Sequence, residues 1–204
     1  MRTLIGVDDP LTVRERRLLR LRHTFSGASL TPSDLGPSFT TVSGTPSVSG
    51  GVLSKADATN VELRANGLAA NIVYQAKLNF GNSAATNRRM LLRARQNADG
   101  SNRFQLTLNR ASNQIVLARV DASTPTTIAS VSYTVAGSTD YWLRWVMNGS
   151  RHEVLISTGG ATFASQFTAT DAAYASQTAI GLFLIDDAVT PTCTVDDLLV
   201  WMAP

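Results

Sequence analysis

Side chains able to do covalent or acid–base chemistry are few in this chain. Glu15, Glu62 and Glu153 are its glutamates, His23 and His152 its histidines, and Cys193 its one cysteine, among 204 residues. Retaining hydrolysis of a glycosidic bond needs two carboxylates about 5–5.5 Å apart. On a strand that means positions i and i+2, because alternate residues share a face. No strand-like stretch carries such a pair: Asp186-Asp187 and Asp196-Asp197 are immediate neighbours, so their side chains diverge. His23 and His152 fall at core parity in predicted strands, where neither would serve a zinc site or a serine triad. The glycines of "GTPSVSGG" precede no lysine and no helix, so this stretch reads as a polar turn and not a phosphate loop. Cys193, in the apparent strand "TCTVDDLLVW", reads as a small packing residue, and a single cysteine excludes an internal disulfide. Asp186, Asp187, Asp196 and Asp197 offer oxygen ligands for a calcium ion at a sandwich rim, although strand-end aspartates are common without one. No catalytic residue is expected and no cofactor, with calcium the one candidate.

Residue types suited to recognition are better represented. In "YWLRWVMNGSRHEVLIS" (141–157), Asn148-Gly149 is a strong hairpin signal, since both residues tolerate positive φ. If Leu143, Trp145 and Met147 face a core, then Trp142, Arg144 and Val146 face outward. A two-residue loop at Asn148-Gly149 pairs Trp145 with His152, Arg144 with Glu153 and Trp142 with Leu155, placing an ion pair beside an apolar spot. The alternation of "LLRARQ" sends Arg93 and Arg95 outward, and that of "RFQLTLN" does the same for Arg103 and Gln105. An outer face of Trp142, Arg144, Glu153, Arg93, Arg95, Arg103 and Gln105 would suit a sugar. Rings stack on its apolar faces, while amides and guanidinium groups bind hydroxyls or acidic groups. The competing reading has Trp142 covered by a loop or a neighbouring subunit, with the arginines solvating the sheet.

The elements that must position these residues are strands. Apolar residues make up 44% of the chain and charged ones only 16%, ample for a core. Period-two alternation begins at Leu19 and is strongest in "NIVYQAKLNF"; "RRMLLRAR" and "NRFQLTLNR" follow, with Asp99-Gly100 marking a turn between them. With "QIVLARVD", "TIASVSYTV", "AIGLFLID" and "CTVDDLLVW", about ten to twelve strands are predicted, with turns every 8–12 residues. That spacing indicates an all-β antiparallel sandwich or barrel. "SGASLTPSDLGPSFTTVSGTPSVSGG" is a long irregular crossing with room for two short strands, and "TDAAYASQ" for a helical turn. Two units are expected: an N-terminal basic arm, 1–18, and a β domain, 19–204.

In order, "HTFSGASL", "VSGGVLSKA", "NIVYQAKLNF", "MLLRARQNADGSNRFQLTLNR", "IVLARV", "YWLRWVMNGSRHEVLIS", "AIGLFLID" and "TVDDLLVW" resemble a concanavalin A-like jelly roll of the laminin-G type, over about residues 19–203. The resemblance implies a two-sheet jelly-roll sandwich with its final strand near the first. It also implies binding of carbohydrate or protein surfaces outside cells or on virus particles. Glucanases on this scaffold carry two glutamates and an aspartate along one strand, a pattern missing here, which argues against a glycoside hydrolase.

Net charge is +3, and the excess sits in "RERRLLRLR", where Arg14, Arg16, Arg17, Arg20 and Arg22 oppose Glu15. "TVRE" at 12–15 has the form of a helix capping box. The segment can be a docking arm on a larger assembly, a solvated helix face or a phosphate binder. It lacks the interleaved aromatics of a nucleic-acid reader, so nucleic acid is not the expected partner. No apolar run reaches a membrane span, and "MRTLIGVDDP" has no secretory signal. A binding-type sandwich without such a signal fits a phage protein released by lysis. The expectation is therefore a non-enzymatic virion component (head, tail, fibre or decoration), homo-oligomeric and docked to other virion proteins. Its jelly roll would display a face for cell-surface polysaccharide, or serve as a purely structural self-assembly module.

Overall fold

A computed structural model describes residues 19–25, 30, 35–57, 59–82, 87–186 and 193–203. Residues 1–18, with the capping box and Arg14, Arg16 and Arg17, lie outside the described residues.

Fifteen strands are present among the described residues, more than the ten to twelve expected: the long crossing holds the two short ones it had room for (residues 40–43 and 46–49), and residues 52–55, 61–65 and 164–170 add three more. In chain order they are β1 (Leu19–His23), β2 (Thr40–Ser43), β3 (Pro46–Ser49), β4 (Val52–Lys55) and β5 (Val61–Ala65). Next come β6 (Ile72–Asn79), β7 (Arg88–Gln96), β8 (Arg103–Asn109), β9 (Gln114–Asp121) and β10 (Thr124–Ser132). The last are β11 (Asp140–Asn148), β12 (Arg151–Ser157), β13 (Ala164–Thr170), β14 (Ala179–Asp186) and β15 (Thr194–Met202). "TDAAYASQ" holds a turn at Ala173–Ser176 and no helix.

The pairings are antiparallel and form two sheets. One has eight strands in the order β13-β12-β11-β6-β15-β4-β3, with β1 also on β15; the other has seven, β10-β9-β8-β7-β14-β5-β2. The first strand thus lies against the last, as the resemblance implies. Together the sheets form the all-β jelly-roll sandwich.

Alternation explains the stacking. Tyr74, Ala76 and Leu78 of β6 and Leu143, Trp145 and Met147 of β11 are buried against Met90, Leu92, Phe104, Leu106, Leu182 and Leu184 of the opposite sheet. Each large side chain so buried contributes roughly 1.5–3 kcal/mol. Tyr74 spans the layers: its hydroxyl donates to Gly181 O at 3.0 Å, and burial pushes that hydroxyl's pKa well above its ordinary value. Cys193 is fully buried and its thiol is likewise pushed up, first by burial and then by Asp186, which fits a packing role.

One turn had no sequence signal. The β9–β10 hairpin closes on Ala122 and Ser123, both at positive φ (46° and 69°), although neither is a residue that favours it. The Asp99-Gly100 turn lies where the sequence marks it: β7 and β8 are joined by residues 97–102, with Gly100 at φ 77°.

His152 is buried where the sheets meet. Its Nδ1 accepts from Trp145 Nε1 at 3.3 Å and its Nε2 donates to Asp171 O at 3.1 Å, so the neutral ring uses both nitrogens. Burial holds its pKa below 6.5. The unfolded chain therefore takes up a proton that the folded chain refuses, so stability is intact above about pH 6.5 and falls as pH drops through the lower folded value. Thermal melts followed from about pH 8 to 5 should show the midpoint declining below about 6.5. His152→Gln, which cannot be protonated, should remove that decline.

Candidate functional site

The β11–β12 hairpin is shifted from its expected register. Asn148 pairs with Arg151, leaving Gly149-Ser150 as the two-residue turn. Gly149 has φ 57° and Ser150 is not left-handed, the pattern of a type II′ turn with glycine first. Contacts from outside the hairpin hold it there: Gly149 N donates to Asn71 Oδ1 at 3.1 Å, and Arg95 Nη2 donates to Gly149 O at 2.6 Å. The shift moves each strand by one residue, so faces are kept while every pair changes. Trp142 stands opposite Ser157, Arg144 opposite Leu155, and Val146 opposite Glu153. The expected Arg144–Glu153 ion pair is replaced by Arg151 Nη2–Glu153 Oε2 at 2.9 Å.

The expected single outer face is in fact two. Trp142, Arg144 and Glu153 belong to the eight-stranded sheet, whereas Arg93, Arg95, Arg103 and Gln105 belong to the seven-stranded one, on the far side of the core. Arg95 is not on an outer face at all. At φ 45° beside a bulge it turns inward, 1% exposed, and Nε donates to Ala70 O at 3.0 Å. It ties β7 to the loops of the opposite sheet.

On the eight-stranded sheet, Ser157, Trp142, Lys77 and Asp196 form one row across β12, β11, β6 and β15. Trp142 is half-buried, with Lys77 Nζ 5.3 Å from its ring. The β12–β13 connection, residues 158–163, folds back over it. A Cβ on Gly160 would sit 2.9 Å from Trp142 Cε2, and Gly160 has φ 76°. Two backbone amides, Gly159 N (3.2 Å) and Gly160 N (2.9 Å), donate to Ser157 Oγ and fix the fold-back. The Arg144 guanidinium stacks 3.9 Å from the Phe163 ring and donates from Nε to Gln75 Oε1 at 2.9 Å. The loop therefore covers part of the Trp142 ring, which stays half-buried.

That same loop shapes a cleft of about 410 Å³, lined by Tyr133, Ile156, Ser157, Thr158, Thr162 and Gln166 with glycine and alanine between them. No lining residue is charged. The Tyr133 ring stands edge-on to Tyr141, centroids 6.0 Å apart at 78°, and its hydroxyl is shifted up by burial and then by Tyr141. An aromatic edge, hydroxyls and one amide can bind a neutral polyol. None of these positions was marked in the sequence, because a cleft between a loop and a strand edge leaves no periodic trace.

On the seven-stranded sheet, Arg64 (β5), Gly181 (β14), Arg93 (β7) and Gln105 (β8) are in register across four strands. The next row holds Glu62 and Phe183. Arg93 Nη1 lies 2.5 Å and Arg64 Nη2 3.8 Å from Glu62 Oε1, and the Arg93 guanidinium is 4.3 Å from the Phe183 ring. Arg103, at the end of the face, donates to Gly100 O, and burial followed by Arg93 brings its pKa down to about 10.

The calcium candidates are dispersed. Asp186 is 1% exposed and committed to Arg88, with Nε–Oδ1 3.3 Å. Asp196 shares Lys77 with Asp140, at 3.7 and 3.2 Å, and burial followed by the Asp197 charge raises its carboxyl pKa. Asp187 lies outside the described residues. No group of three or more His, Cys, Asp or Glu able to hold a metal occurs among the described residues. Among them, too, no helix is long and apolar enough to cross a membrane.

No family model matches the chain, and no curated protein does. Solved structures do resemble it. The carbohydrate-binding module CBM66 from Bacillus subtilis superposes with a TM-score of 0.60 at 13% identity, over 81% of this chain and 91% of that one. A Bacillus licheniformis beta-glucanase gives 0.64 at 9%, over 90% and 98%. The CBM2 module of the evolved Dit of Lactobacillus casei BL23 phage J-1 gives 0.61 at 14%, over 91% and 96%. At these identities the likeness is one of fold.

Gly160→Ala should disturb the loop through both left-handed strain and collision with Trp142. A loss of about 1–2 kcal/mol in chemical denaturation is expected, with a red shift of the tryptophan emission as the ring is uncovered. Unchanged stability and emission would show that the loop does not rest on Trp142.

Proposed function

We propose that this domain, a jelly roll of the laminin-G type, binds a carbohydrate without transforming it and is displayed on a phage particle. The observation that carries the binding reading is the uncharged, hydroxyl-rich cleft walled by Tyr133. Sugars are held by an aromatic surface and a few placed hydroxyl and amide groups, and the cleft supplies these from Tyr133, Thr158, Thr162 and Gln166. Trp142 then serves as the buttress that holds the 158–163 loop in place, and not as a stacking platform. The fold shared with a carbohydrate-binding module supports the reading by analogy.

Binding rather than hydrolysis is supported by the carboxylates. Glu62 and Glu153 stand on different sheets, and Asp140 and Asp196 are bridged by the Lys77 ammonium. The virion setting is supported by the likeness to a phage Dit module. In that setting the basic segment 1–18 docks to other virion proteins, and the domain is repeated as a homo-oligomer. Arg20, counted with the arm in the sequence, lies in β1, exposed, with Nη2 donating to Met202 Sδ at 2.9 Å.

Screening on an array of neutral cell-surface glycans should identify a ligand, and calorimetry should show Tyr133→Ala weakening it by about tenfold, or about 1.4 kcal/mol. Absence of any glycan ligand, or equal binding by Tyr133→Ala and Gln166→Ala, would count against the cleft. Peptide mass spectrometry of purified particles should find the chain within them; recovery from the lysate supernatant alone would contradict the virion setting.

A further inference from the structure

On the seven-stranded sheet Arg64 and Arg93 hold one anion, Glu62, and Arg103 stands close enough to feel all three charges. The nearby Asp99 is turned away, accepting from Ser101 N and Oγ at 2.9 and 2.7 Å. Arg64 and Arg93 share that carboxylate, and their charges, Arg93's first, add to the burial that brings the Arg103 pKa down. Beside them Gln96 is 1% exposed, with no hydrogen-bond partner for its amide nitrogen or oxygen among the described residues. The Nε atoms of Arg64, Arg93 and Arg103 are likewise buried and without a hydrogen bond there. Leaving such groups unsatisfied costs roughly 1–3 kcal/mol each.

The backbone is cleared for this cluster. A Cβ on Gly100 would lie 2.6 Å from Gln96 Nε2, and one on Gly181 would lie 3.0 Å from Gln96 Oε1. Glycine at these two positions lets the amide and the guanidinium groups converge. Phe183, half-buried in the adjacent row, supplies an apolar wall, and the half-buried Arg103 and Gln105 leave the cluster open at its rim.

We infer that this row (Arg64, Arg93 and Gln105, with Arg103 and Gln96 beside it) binds an oxyanion carried on a polymer, the carboxylate of an acidic polysaccharide or the phosphate of a polyol-phosphate chain. It is a second site and shares no residue with the cleft at Tyr133, which lies at the edge where β10 meets β13. Guanidinium forks match both oxyanions. Phe183 favours the carboxylate of a uronic acid, whose ring it can face, over a phosphate on an acyclic chain.

The test uses the full chain, with polygalacturonate and poly(glycerol phosphate) as separate probes, by calorimetry at low and raised NaCl. Arg103→Gln is the informative variant because Arg103 does not hold Glu62; its melting temperature is measured alongside to show that it folds. One polyanion should bind, weakening with salt, and Arg103→Gln should lose about tenfold or more while Tyr133→Ala binds it normally. Binding of polygalacturonate alone identifies the carboxylate, and binding of poly(glycerol phosphate) alone identifies the phosphate. If neither binds, or if folded Arg103→Gln binds as the unaltered chain does, the inference is overturned. A neutral glycan lost on Tyr133→Ala would leave the cleft standing in that case, just as polyanion binding without any neutral ligand would leave this site standing and remove the cleft.

Discussion

Each strand of this sandwich must fill one core with every second residue, and that demand determines what the remaining residues are free to do. Leu143, Trp145 and Met147 are committed to the inside, so Trp142, Arg144 and Val146 are delivered to the outside whatever their use. The Tyr74 hydroxyl on Gly181 O fastens the layers at a point where β14 carries no side chain. The same glycine, seen from outside, gives Gln96 and Arg93 their room. Packing within and polar convergence without thus meet at one residue.

The two outer faces have opposite characters. Around the eight-stranded sheet, charges are neutralised locally: Lys77 between Asp140 and Asp196, Arg151 on Glu153, Arg144 stacked on Phe163. A loop folds over the tryptophan and leaves an uncharged cleft at its margin. On the seven-stranded sheet the cations outnumber the carboxylate they share, and an amide is left unsatisfied. A neutral hydroxylated ligand suits the first environment and an anionic one the second.

Period-two patterning made the fold legible from Leu19 onward, and it assigned Trp142, Arg144, Arg93, Arg103 and Gln105 to outer faces. Alternation says which residues share a face of a strand but not which sheet that strand joins, so residues from opposite sides of the core were grouped together. Arg95 escaped because a bulge with positive φ reverses its direction, and bulges leave no mark on a hydrophobic pattern. The hairpin register moved because Asn71 and Arg95, distant in sequence, capture Gly149. Tyr133, Gln166, Glu62, Arg64 and Phe183 became visible only when loops and neighbouring strands were in place.

The claim on which the account turns is that ligand is held, unchanged, in the cleft beside Tyr133. Amide chemical-shift mapping of the isotopically labelled chain, titrated with a neutral oligosaccharide that it retains, tests this most directly. Perturbations should centre on Tyr133 and residues 156–166, with the sugar's own resonances recovered intact after prolonged incubation. Shifts centred elsewhere, or the appearance of cleaved sugar, would contradict it.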